Sequence, residues 1–149
     1  MSSDLTYDGY SGEVDYLPYY FPEISPLRIA FATTLAGCTH RVSRPLRYLE
    51  LGCGMGVSLV AHAAAMPGEY WGVDANPSHT RFAADLASDL GVEVALVTGT
   101  FVDFAMRDDA PEFDMIVAHG IWSWVSQRSR DAILEILASK LASGGLFYV

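Results

Sequence analysis

The 149-residue sequence predicts an α/β fold built on a doubly wound parallel sheet. Three observations predict it. Short apolar runs alternate with helical segments from Leu46 onward, and the connections between them carry glycine or proline. The first of these runs passes through Leu49-Glu50-Leu51-Gly52-Cys53-Gly54-Met55-Gly56 straight into a helix. Strand, glycine turn and helix, repeated, wind a chain into one sheet by right-handed crossovers.

Residues 1–24 are rich in Tyr, Asp, Gly and Pro, and Tyr16-Leu17-Pro18-Tyr19-Tyr20-Phe21-Pro22 has neither helical nor strand periodicity, so an extended arm is expected there. Residues 25–149 then form one domain. Ser25 before Pro26 reads as an N-cap with proline at the first helical position, opening a helix to about Ala36 that Gly37 closes. Arg47–Leu51 is the first strand of the sheet, and Val57–Met66 is a helix stopped by Pro67-Gly68. Glu69–Val73 is a second strand that ends at Asp74. Asn76-Pro77 starts the next helix, on which Phe82, Leu86 and Leu90 recur every fourth residue as a buried face. Val92–Val97 is a third strand, and residues 98–111 form a loop with one helical turn near Phe104–Arg107. Glu112–Ala118 is a fourth strand. A helix over about Ser126–Leu141 turns Ile133, Leu134, Leu137 and Leu141 inward, and Gly144-Gly145 leads into a fifth strand, Leu146–Val149. Ending on an apolar strand suggests a domain cut off before its sheet is complete.

Composition narrows the function. The apolar share of 51% suits a globular domain. A formal charge of -9 argues against a nucleic-acid partner, which demands clustered Lys and Arg, and favours a neutral or cationic one. There is no secretory pattern at the start and no apolar stretch long enough for a membrane span. Cys38 and Cys53 read as reduced thiols of a cytoplasmic protein. Cys38, His40, Cys53 and His62 lack zinc-ligand spacing, so no metal is expected, and Ser123 lacks the flanking glycines of a nucleophile elbow.

The bend at Gly52-Cys53-Gly54-Met55-Gly56 carries the chemistry. Glycines let backbone approach a ligand closely, and the helix that follows presents unpaired N–H groups. In a doubly wound sheet ligands bind beyond the carboxyl ends of the strands, where Glu50 and Asp74 stand. Asp74, with Ala75 and Asn76 after it, is placed to accept both hydroxyls of a ribose. A dinucleotide site wants Gly-x-Gly-x-x-Gly, but here the third glycine comes one residue early and Val57 holds its place. A carboxylate at Glu50 repels pyrophosphate yet attracts an ammonium group. S-adenosylmethionine has such an ammonium, a sulfonium and no phosphate; NAD is the disfavoured rival.

On these residues the sequence resembles the class I S-adenosylmethionine-dependent methyltransferase family, from about Tyr16 to Val149. Glu50–Gly56 is similar to its first motif, Asp74 to its ribose-binding acid, Phe113-Asp114-Met115-Ile116-Val117 to its fourth strand, and Leu141-Ala142-Ser143-Gly144-Gly145 to the turn before its fifth. The resemblance implies a Rossmann-like sheet truncated after the fifth strand. It also implies methyl transfer by in-line displacement, with a small-molecule or protein acceptor. Gly52, Gly54 and Gly56, with Cys53 between them, would cradle the aminocarboxypropyl group, and Thr100 with Phe101 would border the adenine. His119 and Gly120 would lie over the methionine end, with His119 either a general base or a neutral pocket residue. Pro18–Pro26 and Ala118-His119-Gly120-Ile121-Trp122-Ser123-Trp124-Val125 further resemble bacterial methyltransferases that carry a regulatory domain after the catalytic one. Some of these modify protein lysines.

Four points stay open here. Trp122 and Trp124 either wall the site or pack the last helix, and the tyrosine-rich arm either folds over the cofactor or covers the sheet. Where the family often has Gly-Asp after its third strand, this sequence has Gly99-Thr100-Phe101, with Asp103 nearby. The absence of further strands leaves a non-catalytic, cofactor-binding fragment as an alternative to an enzyme.

Overall fold

A computed structural model describes residues 17–38 and 45–149, together with the backbone of two short strands, β1 (Thr6–Tyr7) and β2 (Tyr10–Ser11), which pair antiparallel. Most of the expected arm, and His40, lie outside the described residues.

Five parallel strands make the main sheet: β3 (Leu46–Leu51), β4 (Gly68–Asp74), β5 (Ala95–Thr98), β6 (Phe113–Val117) and β7 (Leu141–Tyr148), in the order β5-β4-β3-β6-β7. Each connection contains a helix: α2 (Val57–Ala65), α3 (Pro77–Asp89), α4 (Phe101–Ala105) and α5 (Gln127–Lys140). Before the sheet come a 3-10 turn, Pro22–Ile24, and α1 (Pro26–Leu35). The chain winds outward from β3 to β5, then returns across β3 to β6 and on to β7, so the winding reverses between β3 and β6. That reversal opens a crevice beyond their carboxyl ends.

Both faces of the sheet are covered, which is why its strands are apolar runs rather than alternating ones. On one face Leu49, Leu51, Phe113 and Ile116 pack with Phe104, Ile133 and Ile136 from α4 and α5. On the other, Tyr48, Tyr70, Met115 and Val117 pack with Leu59 of α2, Ile29 of α1 and Ile24. His62 is sealed into this second layer, where neither ring nitrogen has a hydrogen-bond partner among the described residues, and burial pushes its pKa down to about 4.

Several expectations need correction. The buried face of α3 consists of His79, Thr80, Ala83 and Ala87, whereas Phe82 and Leu90 are exposed. The reason is close approach: a Cβ added to Gly56, at the start of α2, would lie 2.5 Å from the Ala83 Cβ. Only small side chains fit that seam, and a leucine stripe would hold the helix off the sheet. On α5, Leu134 is exposed while Ile136 takes the inward position beside Ile133. The loop after β5 holds a full short helix, α4, because Thr100 and Asp103 form a reciprocal capping box. Ser25 stands at the N-cap of α1 without a side-chain cap bond. β5 is shorter than expected, and β7 starts at Leu141: its pairing with β6 jumps from Phe113↔Leu141 to Met115↔Leu146, so Gly144-Gly145 lies within an irregular bulge. Val149 lies outside that strand.

The Gly56 seam is testable against Gly91, which has a similar left-handed φ, 64° against 66°, but open space where a Cβ would go. Gly56→Ala should cost about 1–3 kcal/mol more stability than Gly91→Ala, because only the former adds overpacking to the shared backbone strain. Urea unfolding of the two variants measures the difference.

Candidate functional site

The turn leaving β3 is built so that its N–H groups converge on the tip of β4. Gly52, Gly54 and Gly56 all have positive φ, which folds the backbone into a tight bend. The Gly52 and Cys53 N–H groups donate to the Val73 carbonyl at 2.8 and 3.1 Å, and Gly54 N–H donates to Asp74 Oδ2 at 2.9 Å. Beyond this bend lies a cavity of about 360 Å³. It brings together Glu50, Gly52, Cys53, Gly54, Gly56, Asp74, Ala75, Thr100, Phe101, His119 and Gly120, eleven of the twelve residues expected from sequence. Asn76 is the exception: it does not line the cavity but caps α3, its Oδ1 accepting from Ser78 N–H at 2.9 Å.

Glu50 lies on the same sheet face as Tyr48 and is 5% exposed. The Tyr48 hydroxyl donates to its Oε2 at a long 3.4 Å. Burial outweighs that bond and pushes the Glu50 carboxyl up to about 8. The Cys53 thiol beside it is also pushed up, by burial and then by the Glu50 charge. A buried acid this poorly compensated can receive a cation.

Asp74 is also buried, but it is held. Its Oδ1 accepts from Asn76 N–H at 2.9 Å and lies 3.1 Å from His79 Nδ1, while Oδ2 takes the Gly54 N–H. A carboxylate has about four lone-pair positions, so three donors leave room for one more. Accepting both ribose hydroxyls therefore requires the Gly54 bond or another of these to yield.

The remaining expectations resolve by geometry. Thr100 is engaged by Asp103: its hydroxyl donates to Asp103 Oδ2 at 2.7 Å and accepts the Asp103 N–H at 3.1 Å. The Thr100 hydroxyl, and after it the Thr100 N–H donating to the same Oδ2 at 3.0 Å, hold the Asp103 carboxyl below its ordinary range. Trp124 is 72% exposed and lines the cavity rim, so it does not pack α5 onto the sheet; Trp71 fills that layer instead, against Phe104 and Phe113. The described end of the arm contributes to both places considered for it. Leu17, Tyr19 and Phe21 line the cavity, while Ile24 is core. Phe21 N–H donates to Ser58 Oγ at 2.8 Å, which pins the segment to the start of α2.

Sequence reasoning missed Glu23 and His79. Glu23 Oε1 stands 3.4 Å from His119 Nε2, and the His119 ring lies against Phe21 and Tyr148. No periodicity could signal a pairing between a pre-helical turn and the loop after β6. For His79 a signal existed, a histidine three residues after an Asn-Pro helix start, close to a strand-end acid. Among the described residues no three His, Cys, Asp or Glu side chains could together hold a metal, and no helix is long and apolar enough to cross a membrane.

Fold and crevice together define a nucleotide-type site at the switch point of a parallel sheet. Residues 49–145 match the family described as a methyltransferase domain, and the chain belongs to that family. Its sequence is 37% identical over 145 residues to the uncharacterized protein sll1526 of Synechocystis, covering 95% of this chain and 28% of that one. It is 29% identical over 150 residues to the uncharacterized protein RP028 of Rickettsia prowazekii, covering 99% and 58%. The chain thus spans less than two thirds of these relatives' length. Among solved structures, PKMT2 from Rickettsia typhi in complex with AdoHcy superposes with a TM-score of 0.80 at 30% identity, covering 89% of this chain and 25% of that one. A SAM-dependent methyltransferase from Thiobacillus denitrificans in complex with S-adenosyl-L-homocysteine gives 0.58 at 26% identity, covering 86% and 47%.

The Glu50 carboxyl couples stability to pH with a fixed sign. Its ordinary value is 4.5 and its folded value about 8, so the folded state holds a proton that the unfolded chain releases between these limits. Its contribution is fully present below about 4.5 and lost as pH rises through about 8. Glu50→Gln should remove this loss: between about pH 5 and about pH 8.5 the Tm of the native sequence falls relative to that of the variant, as thermal denaturation at both values will show.

Proposed function

We propose that this chain forms the cofactor-binding part of an S-adenosylmethionine-dependent methyltransferase. The observation that carries the reading is the pairing of two buried acids, Glu50 and Asp74, around one glycine bend in a single cavity. The residues fit the cofactor. Among the described residues Glu50 has no compensating cation, an added Cβ on Gly54 would meet nothing within 4 Å, and Asp74 keeps one acceptor position. The solved relatives in complex with AdoHcy or S-adenosyl-L-homocysteine support the same assignment.

Bound there, S-adenosylmethionine would supply a methyl group made electrophilic by its positive sulfur. Glu50 would bind the ammonium and release its own proton, Asp74 would hold the ribose, and Phe101 would border the adenine. The chain's main task is to hold two reactants at attack distance, which alone supplies a large part of such a rate enhancement. His119 would stand at the methionine end, where Glu23 can orient its ring.

The acceptor we propose is the side-chain amine of a protein lysine. The formal charge of -9 and the carboxylate of Glu23 suit a cationic acceptor, and Leu17, Tyr19 and Trp124 give the rim an apolar surface for an alkyl chain. Labelled methyl groups transferred to a lysine-rich protein and recovered on lysine after hydrolysis would support this; label confined to small molecules would exclude it.

Calorimetry tests the cofactor. S-adenosylhomocysteine should bind and NAD should not, and Asp74→Ala should weaken the former at least about tenfold, the equivalent of about 1.4 kcal/mol. Heat with NAD alone would end the methyltransferase reading.

A further inference from the structure

The start of α3 is buried against the tip of β4. His79 is 3% exposed, and its two ring nitrogens have different partners. Nδ1 faces Asp74 Oδ1 at 3.1 Å, and Nε2 faces Asn76 Nδ2 at 3.3 Å. These partners decide the tautomer. The Asn76 amide cannot be turned over, because its Oδ1 is already committed to the Ser78 N–H. Asn76 Nδ2 can therefore only donate, so Nε2 must be the bare nitrogen. The proton then sits on Nδ1 and is donated to Asp74. A relay runs from the first turn of α3 through Asn76 and His79 to the carboxylate that lines the cavity.

We propose that His79 is a positioning residue for cofactor recognition: as the neutral Nδ1–H tautomer it locks the Asp74 carboxylate in the orientation that receives a ribose hydroxyl. The proposal rests on the cofactor reading above. It adds that affinity for the nucleoside depends on a residue outside the cavity, His79 not being among its lining, and that Asn76 contributes through His79 rather than by touching the ligand. A carboxylate held by the N–H groups of Gly54, Asn76 and His79 does not have to reorient when the hydroxyl arrives.

The experiment uses the 149-residue chain and S-adenosylhomocysteine. His79→Leu keeps bulk and removes the donor, and it should weaken binding about tenfold. His79→Asn restores an N–H near the Nδ1 position and should recover most of that loss. In an Asp74→Ala background, His79→Leu should change affinity less than about twofold, because the residue it acts through is gone. Additive losses in the two backgrounds would mean that His79 serves only to pack α3, and would overturn the proposal. Should His79→Leu fail to fold, nitrogen-15 NMR of the native chain's histidines still decides the tautomer: a proton on Nε2 of His79 overturns the relay, and a bare Nε2 upholds it. If the native chain binds S-adenosylhomocysteine and the couplings fail, only the role of His79 is lost. If the native chain does not bind it, the cofactor reading fails as well.

Discussion

Three N–H groups tie the end of β3 to the end of β4. Those of Gly52 and Cys53 share the Val73 carbonyl, and that of Gly54 reaches the Asp74 side chain. Left-handed backbone at Gly52, Gly54 and Gly56 is what allows successive amides to turn toward one strand tip. The rest of the site depends on this knot. It sets where α2 begins, and it places the Glu50 and Asp74 carboxylates beside one cavity. It also brings Gly56 close enough to Ala83 that the seam between α2 and α3 must be made of small residues.

The two acids set by this bend are buried to similar degrees but are treated differently by their surroundings. Asp74 receives N–H donors from the bend, from the start of α3 and from an imidazole. Glu50 has one long bond from a tyrosine that is itself buried, and its proton is held up to about 8. One carboxylate is organised before any ligand arrives, while the other is left short of charge compensation. Such a division suits a ligand with a neutral polar end and a cationic end, because the hydroxyl needs geometry and the cation needs an uncompensated charge.

One part of the cavity wall is built from more distant parts of the chain. Leu17, Tyr19 and Phe21 line the cavity together with the loop after β6, and the two segments are linked by the approach of Glu23 to His119 and by the packing of Phe21 on the same ring. The Phe21 N–H bond to Ser58 fixes the first of these segments to the helix that starts at the glycine bend.

Element type and order were legible in the sequence because they depend on local signals: apolar runs for strands, Asn76-Pro77 and Ser126 for helix starts, and glycines where φ must be positive. The same locality made the cavity residues readable, since ligands at a switch point meet the residues that end strands and begin helices. What failed was burial within helices. Phe82, Leu90 and Leu134 satisfy a helical period yet face solvent, because period shows that a stripe exists and only the neighbouring elements decide which stripe is covered. The bulge in β7 and the exact span of α4 likewise follow from pairing with β6 and from a reciprocal cap.

By itself, then, the sequence determined a parallel α/β sheet, the glycine bend and the two acids flanking it, because each is written in residues close together along the chain. Only the tertiary structure decided that Asn76 caps α3 instead of lining the cavity, that His79 stands against Asp74, and that Glu23 meets His119. These are contacts whose distances come from strands and helices packing together, and a linear pattern carries no information about the space between them.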